Sequence, residues 1–247
     1  MKIITEKKDG ILYVDFNSPS LNILNLEIFN ELIEVLESEK TSQVIAFKGT
    51  GKLFSAGVEV KEHLPETMHQ MIGVFSKVII KLFEFPGITA AIVKGGAYGG
   101  GCEIALCCDI VLADKEALFS QPEIKLGVFP PVACALYPLL FPSKIVNYLI
   151  YSGENILASA LENYGIINKT FEKDTLYDEA HRYLSKFTEL SLPVIQFSKK
   201  ATNMDSLIKE RLERANTIYL NELMNTEDAR DGLSAFLERK KHVWKHR

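Results

Sequence analysis

Strand signals stop at about residue 172 of this 247-residue chain, and that asymmetry limits the fold more than any other feature. Upstream, Ile11–Phe16 (ILYVDF), Gln43–Phe47 (QVIAF), Ile88–Val93 (ITAAIV) and Ala117–Ser120 read as strands. Helices are predicted at Leu26–Glu37, where Leu26, Phe29, Ile33 and Leu36 share one face, and at Gly101–Cys108. Downstream, Thr175–Phe187, Leu192–Asn203, Ser206–Asn225 and Glu227–His242 carry only helical periodicity, and Thr226 before Glu227-Asp228 makes a helix start. The expectation is a mixed α/β body over 1–190 and a helical carboxyl region over 191–247. A (β/α)₈ barrel suits the length, but a strandless final third argues against it.

Composition excludes several classes of function. The apolar share of 47% is enough for a large core, so disorder is excluded. A net charge of −4 gives no global case for binding nucleic acid or a membrane. The charge is uneven: residues 1–180 carry a net −8 and residues 181–247 a net +4, with all six arginines in the second part. A local anion site, a contact between subunits or a solvated helix face would each explain that end.

Cys102, Cys107, Cys108 and Cys134 form no C-x-x-C pair, which points to buried free thiols in a reducing compartment. Residues 126–143 are uncharged for 18 positions, the length of a membrane span. Pro130, Pro131, Pro138 and Pro142 would break a spanning helix there, so the run reads as buried interior. No apolar run precedes the charges of MKIITEKKDG, so no signal peptide is predicted and the expected location is cytoplasmic.

Gly51-Lys52 is a near miss for a phosphate loop, since Ala46 stands where the first glycine belongs and Leu53 replaces Ser/Thr. The glycines of 95–101 fit no G-x-G-x-x-G register. Five scattered histidines and the lack of H-E-x-x-H or G-x-S-x-G speak against metal and serine-hydrolase chemistry.

Three features remain. Gly99-Gly100-Gly101 would let backbone N–H groups approach a ligand at a helix start, the construction of an oxyanion hole, although tight packing alone would also demand glycine. Glu103 is the only charge from Gly101 to Cys108, and a carboxylate in such surroundings is paired, functional or solvent-reaching. Glu123 follows a strand and Pro122; alone it reads as a surface loop acid. Two carboxylates facing one oxyanion hole would supply a general base and a general acid for adding water across a polarised double bond. Gly57 would allow a sharp turn presenting the Val58 N–H as the second donor.

In this order the segments FSAGVEVK (54–61), AYGGGCEIALCCD (97–109), FSQPEIKLG (119–127) and EDARDGLSAFLERKK (227–241) resemble the crotonase, or enoyl-CoA hydratase/isomerase, superfamily over essentially the whole chain. The resemblance implies a spiral of β-β-α turns with a helical trimerisation region at the carboxyl end, and a homotrimer or a hexamer made of two trimers. It implies an acyl-CoA substrate, coenzyme A entering as part of that substrate, with no separate cofactor and no metal. By position, the Val58 and Gly100 amides would hold the thioester oxygen. Glu103 would activate water and Glu123 would protonate the α-carbon, while Ala56 and Pro131 would line the substrate site. Lys61 and Arg239 would lie near the coenzyme A phosphates, Arg239 from its own or a neighbouring subunit.

Isomerases of the superfamily often keep one of the two acids, so the pair favours a hydratase. An isomerase working through one Glu, or a non-catalytic binding protein of the same fold, stays as an alternative. Where enoyl-CoA hydratases have a glycine-rich segment that helps hold water, this chain has Val128-Phe129-Pro130-Pro131-Val132-Ala133-Cys134, and Pro131 has no N–H to give. SAGVEVKEH and QPEIKLGVFPPVA are most similar to the hydratases of cyclohexa-1,5-diene-1-carbonyl-CoA, which add water to a conjugated cyclic thioester.

Overall fold

A computed structural model describes residues 2–18, 21–202 and 204–247. In chain order the elements are β1 (Ile3–Lys8), β2 (Ile11–Phe16), α1 (Leu26–Ser38), β3 (Val44–Gly49), α2 (Met68–Glu84), β4 (Ile88–Val93), β5 (Gly96–Tyr98) and α3 (Gly100–Leu106). They continue with β6 (Ile110–Asp114), β7 (Leu118–Ser120), α4 (Pro131–Leu140), α5 (Ser143–Ser152), β8 (Ile156–Leu157), α6 (Ala158–Asn163) and β9 (Lys169–Phe171). The remainder is helical: α7 (Leu176–Thr188), α8 (Leu192–Thr202), α9 (Asp205–Asn221) and α10 (Glu227–Leu237).

The strands form two sheets. The larger has the order β1-β2-β3-β4-β6-β9, antiparallel only between β1 and β2. The smaller has the order β5-β7-β8. β4 passes through Lys94-Gly95 directly into β5, and β6 is followed closely by β7, so successive turns of the chain feed both sheets. Alternation along the strands assigns their two faces. Ile11, Tyr13, Val44, Ala46, Ala90, Ile92 and Leu112 meet Leu176, Ala180 and Leu184 of α7, which recur at helical spacing. The opposite face, with Val14, Phe16, Ile45, Phe47, Ala91 and Val93, joins the main core under α1, α2, α3 and α4.

The strands at 11–16 and 88–93 sit where their patterns predict, and β3 and β7 are displaced by one or two residues. β1, β5, β6, β8 and β9 have no counterpart in the sequence reading. β1 is an edge strand with only Ile3 buried, and β5, β8 and β9 have three residues or fewer, too short for a periodicity to show. Pro131 and Pro138 do not prevent a helix within the uncharged run. Pro131 opens α4, where an N–H is dispensable, and Pro138 lies inside it. α4 is largely buried, and among the described residues no helix is long and apolar enough to cross a membrane.

Three helical expectations overran, and the first is α3, which ends at Leu106 rather than Cys108. α9 gives way at Glu222 to a short 3-10 turn, Leu223–Asn225, and α10 ends at Leu237 rather than His242, with Arg239 at φ 55. Asn203, the last residue of the helix predicted from Leu192, lies outside the described residues. Cys102, Cys107 and Cys108 are buried free thiols.

Candidate active site

Two loops and a helix start build the site. Leu24 N–H donates to Gly57 O (2.9 Å) and Glu59 N–H to Leu24 O (2.8 Å), so the turn at Val58 is pinned on both sides. Gly57 has φ +103, which a side chain would strain, and that turn leaves the Val58 N–H without an acceptor among the described residues. Ser55 ties the turn together. Its Oγ donates to Asn22 O at 2.7 Å and accepts the Gly57 N–H at 3.1 Å. Tyr98 N–H donates to Ser55 O, bringing β5 and the start of α3 alongside.

The glycines of α3 are explained by contact. A Cβ on Gly101 would stand 2.5 Å from Ser55 Cβ, one on Gly100 2.5 Å from Val58 Cγ2, and one on Gly99 2.5 Å from Glu123 Oε1. Gly100 is the first residue of α3, and its N–H also has no acceptor among the described residues. Two unpaired amides therefore belong to residues in direct contact, the arrangement that receives a developing negative oxygen.

Glu103 is 2% exposed. Its Oε1 accepts the Ala133 N–H at 2.8 Å, from the first turn of α4, where the helix dipole favours negative charge. Burial pushes its carboxyl up to about 7, with the Ala133 and Val132 amides pulling the other way. Glu123 lies on the 3-10 turn Pro122–Leu126. Its Oε2 is sealed from solvent with no partner among the described residues, and burial, then the charge of Glu103, raise its carboxyl well above the ordinary range.

That turn is held from outside. The Asp228 carboxylate accepts the Lys245 and His246 N–H groups at 2.7 Å each. Residues 242–247 thereby fold back and bring the Trp244 ring against Gly127 and Gly232.

Ala56, Val58, Gly100, Glu103, Glu123 and Pro131 line one cavity of about 420 Å³, so six of the eight residues singled out from sequence meet there. The two cations do not line it. Lys61 is on the exposed side of the 3-10 turn Val60–His63, and Arg239 is exposed beyond the end of α10. Much of the basic excess of the carboxyl region is paired locally: Lys245 with Glu227 and Asp231, Lys209 with Glu84, Lys199 with Asp109.

The sequence reading missed His63, Ser76, Asn216 and Phe236, which also line the cavity. His63 lies only five residues past Val58 and could have been noticed; the others come from α2, α9 and α10, whose patterns reveal only an apolar face. Pro131 itself has no N–H to give, and the amides that follow it, of Val132 and Ala133, serve Glu103.

The family model for enoyl-CoA hydratase/isomerase matches residues 6–247. The chain is 28% identical over 253 residues to the cyclohexa-1,5-dienecarbonyl-CoA hydratase of Thauera aromatica, covering 100% of this chain and 97% of that one. It is 32% identical over 252 residues to the short-chain-enoyl-CoA hydratase of Clostridium acetobutylicum, covering 97% and 95%. The solved structure of an enoyl-CoA hydratase from Mycobacterium avium subsp. paratuberculosis K-10 shares the fold, with a TM-score of 0.87 at 21% identity over 99% of both chains. With a crotonase-type fold and a family match along nearly its entire length, this chain belongs to the enoyl-CoA hydratase/isomerase family.

Proposed function

We propose that this chain reversibly hydrates an α,β-unsaturated acyl-CoA thioester in the cavity between α3 and the Glu123 turn. One observation carries the reading: two carboxylates, one held by an α4 amide and one with an unpartnered oxygen, line a cavity that also receives two unpaired amides. Glu103, steadied by the α4 amides, holds the negative charge near neutral pH and is the base. Glu123, whose Oε2 has no partner among the described residues, keeps its proton and is the acid.

The thioester oxygen accepts from the Val58 and Gly100 N–H groups. Glu103 takes a proton from water as the water oxygen bonds to the electrophilic carbon of the conjugated system. The displaced π electrons pass toward the thioester oxygen as an enolate, which those amides stabilise. Glu123 then gives its proton to that enolate, at the α-carbon of a simple enoyl group or at the far end of the conjugated system of a cyclic dienoyl group, where water adds in the 1,4 sense. Ala56 and Pro131 bound the acyl part, and we assign the coenzyme A phosphates, outside the cavity, to Lys61 and Arg239. Arg239 stands three residues beyond Phe236, itself a cavity residue, which favours the same subunit as its place of action.

We assign the acyl group to the cyclic dienoyl class. The similarity to the Thauera aromatica enzyme supports this, as does a lining that includes the rings of Phe75 and Phe236 and the rigid Pro131. Incubation with an equimolar mixture of crotonyl-CoA and cyclohexa-1,5-diene-1-carbonyl-CoA, followed by mass spectrometry, tests both levels. A gain of one water on the cyclic thioester is the expected result. Gain on crotonyl-CoA alone would leave a general hydratase, and isotope exchange without water gain would make the chain an isomerase. We also propose the trimer: α8 has no buried residue, and Val194 (63% exposed) and Phe197 (71%) call for a cover that a second copy supplies, which light scattering would measure.

A further inference from the structure

Among the cavity residues, His63 has no part in the hydration chemistry. Its Nδ1 lies 3.0 Å from the hydroxyl of Tyr219, which is fully buried. That hydroxyl carries one proton, and Nδ1 is its only partner among the described residues. A buried O–H without an acceptor is costly, so Tyr219 donates to Nδ1 and the ring proton of a neutral His63 sits on Nε2. Burial holds the imidazole near about 4, which keeps it neutral at physiological pH. Among the described residues Nε2 has no hydrogen-bond partner, it is not sealed from solvent, and His63 lines the cavity. An N–H donor thus faces a space otherwise walled largely by Val58, Val60, Met71, Ile72 and Phe75.

We propose that His63 Nε2–H is a specificity determinant that binds a neutral oxygen, a hydroxyl or ketone, on the acyl part of the thioester. A carboxylate is disfavoured there, because Glu103 and Glu123 share the cavity and Lys125, its one lining cation among the described residues, is engaged by Glu154 at 2.8 Å. This inference rests on the reading of the chain as an acyl-CoA enzyme and specifies the substrate class of the same site. Tyr219 is a positioning residue, fixing the tautomer that makes His63 a donor.

The test is calorimetric binding of unreactive saturated thioesters, cyclohexanecarbonyl-CoA against counterparts hydroxylated at ring position 3 or 4, which lack the β-hydroxyl that dehydration would remove. The expected result is that one hydroxylated isomer binds on the order of tenfold more tightly than the hydrocarbon. His63→Leu abolishes the difference, and His63→Gln, which keeps a neutral donor, restores part of it. Equal binding of hydroxylated and plain rings, or a preference that survives His63→Leu, overturns the proposal but leaves the acyl-CoA reading intact. Failure of every thioester to bind overturns both. Nitrogen-15 spectra of the unmodified protein give an independent check: a proton on Nε2 is expected, becoming shared between the nitrogens in Tyr219→Phe. A proton on Nδ1 in the unmodified protein would overturn the assignment.

Discussion

Glu103 and Glu123 are the same residue type at the same cavity, yet the chain treats them differently. Glu103 belongs to a helix and faces the first amides of another, which offset part of the cost of burying its charge. Glu123 belongs to a single 3-10 turn and leaves one oxygen with no partner. In the proposed mechanism Glu103 is the base and Glu123 the acid, and what separates them is backbone placement, an α4 amide on one and an unpartnered oxygen on the other.

The largest effects should come from abolishing that difference. Glu103→Gln and Glu123→Gln are each expected to lower the hydration rate by on the order of 10²- to 10⁴-fold. Quench-flow or spectrophotometric assays would measure this, and normal turnover by either variant would break the two-acid mechanism. Gly99→Ala should come next. Its Cβ would press on Glu123 Oε1 and its φ of +49 disfavours alanine, so a loss of roughly 10²-fold in turnover is expected from misplacement of the acid.

The pH dependence sharpens the comparison further. Activity limited by ionisation of Glu103 should rise through about pH 7, and this limb should vanish in Glu103→Gln. Stability runs the other way. The native pKa of about 7 exceeds the ordinary 4.5, so the folded state binds the proton more tightly. That contribution is complete below about 4.5 and is lost as pH rises through about 7. Wild type should therefore lose melting temperature relative to Glu103→Gln between those values.

Trp244→Ala should have the smallest effect. Removing the ring from Gly127 loosens the Glu123 turn from outside, with an expected loss of about 1–2 kcal/mol in thermal denaturation, since the side chain is 37% exposed. Its effect on turnover should be well below that of Gly99→Ala.

Most of this site was legible in the sequence because its chemistry is carried by local features. A glycine run opening a helix, one acid in an apolar segment and Pro122-Glu123 after a strand are each visible within ten residues. What could not be read is what the chain brings from afar. The amide that holds Glu103 belongs to Ala133, 30 residues away, and the partner of His63 is Tyr219, 156 residues away. Lys61 and Arg239 were visible as cations, but no local pattern reveals whether a cation turns toward a cavity or away from it. Short strands such as β5 and β9 were missed because their stability comes from tertiary pairing rather than from their own composition.

The knot around Ser55 also bears on how such a chain can diverge. A side chain at Gly101 would require Ser55 to shrink, and shrinking Ser55 would release both Asn22 and the turn that carries Val58. No single step leads out of that arrangement without loss. In a lineage these positions should change together or not at all, and adaptation to new acyl groups should accumulate in the side chains that α2, α9 and α10 contribute to the opposite wall.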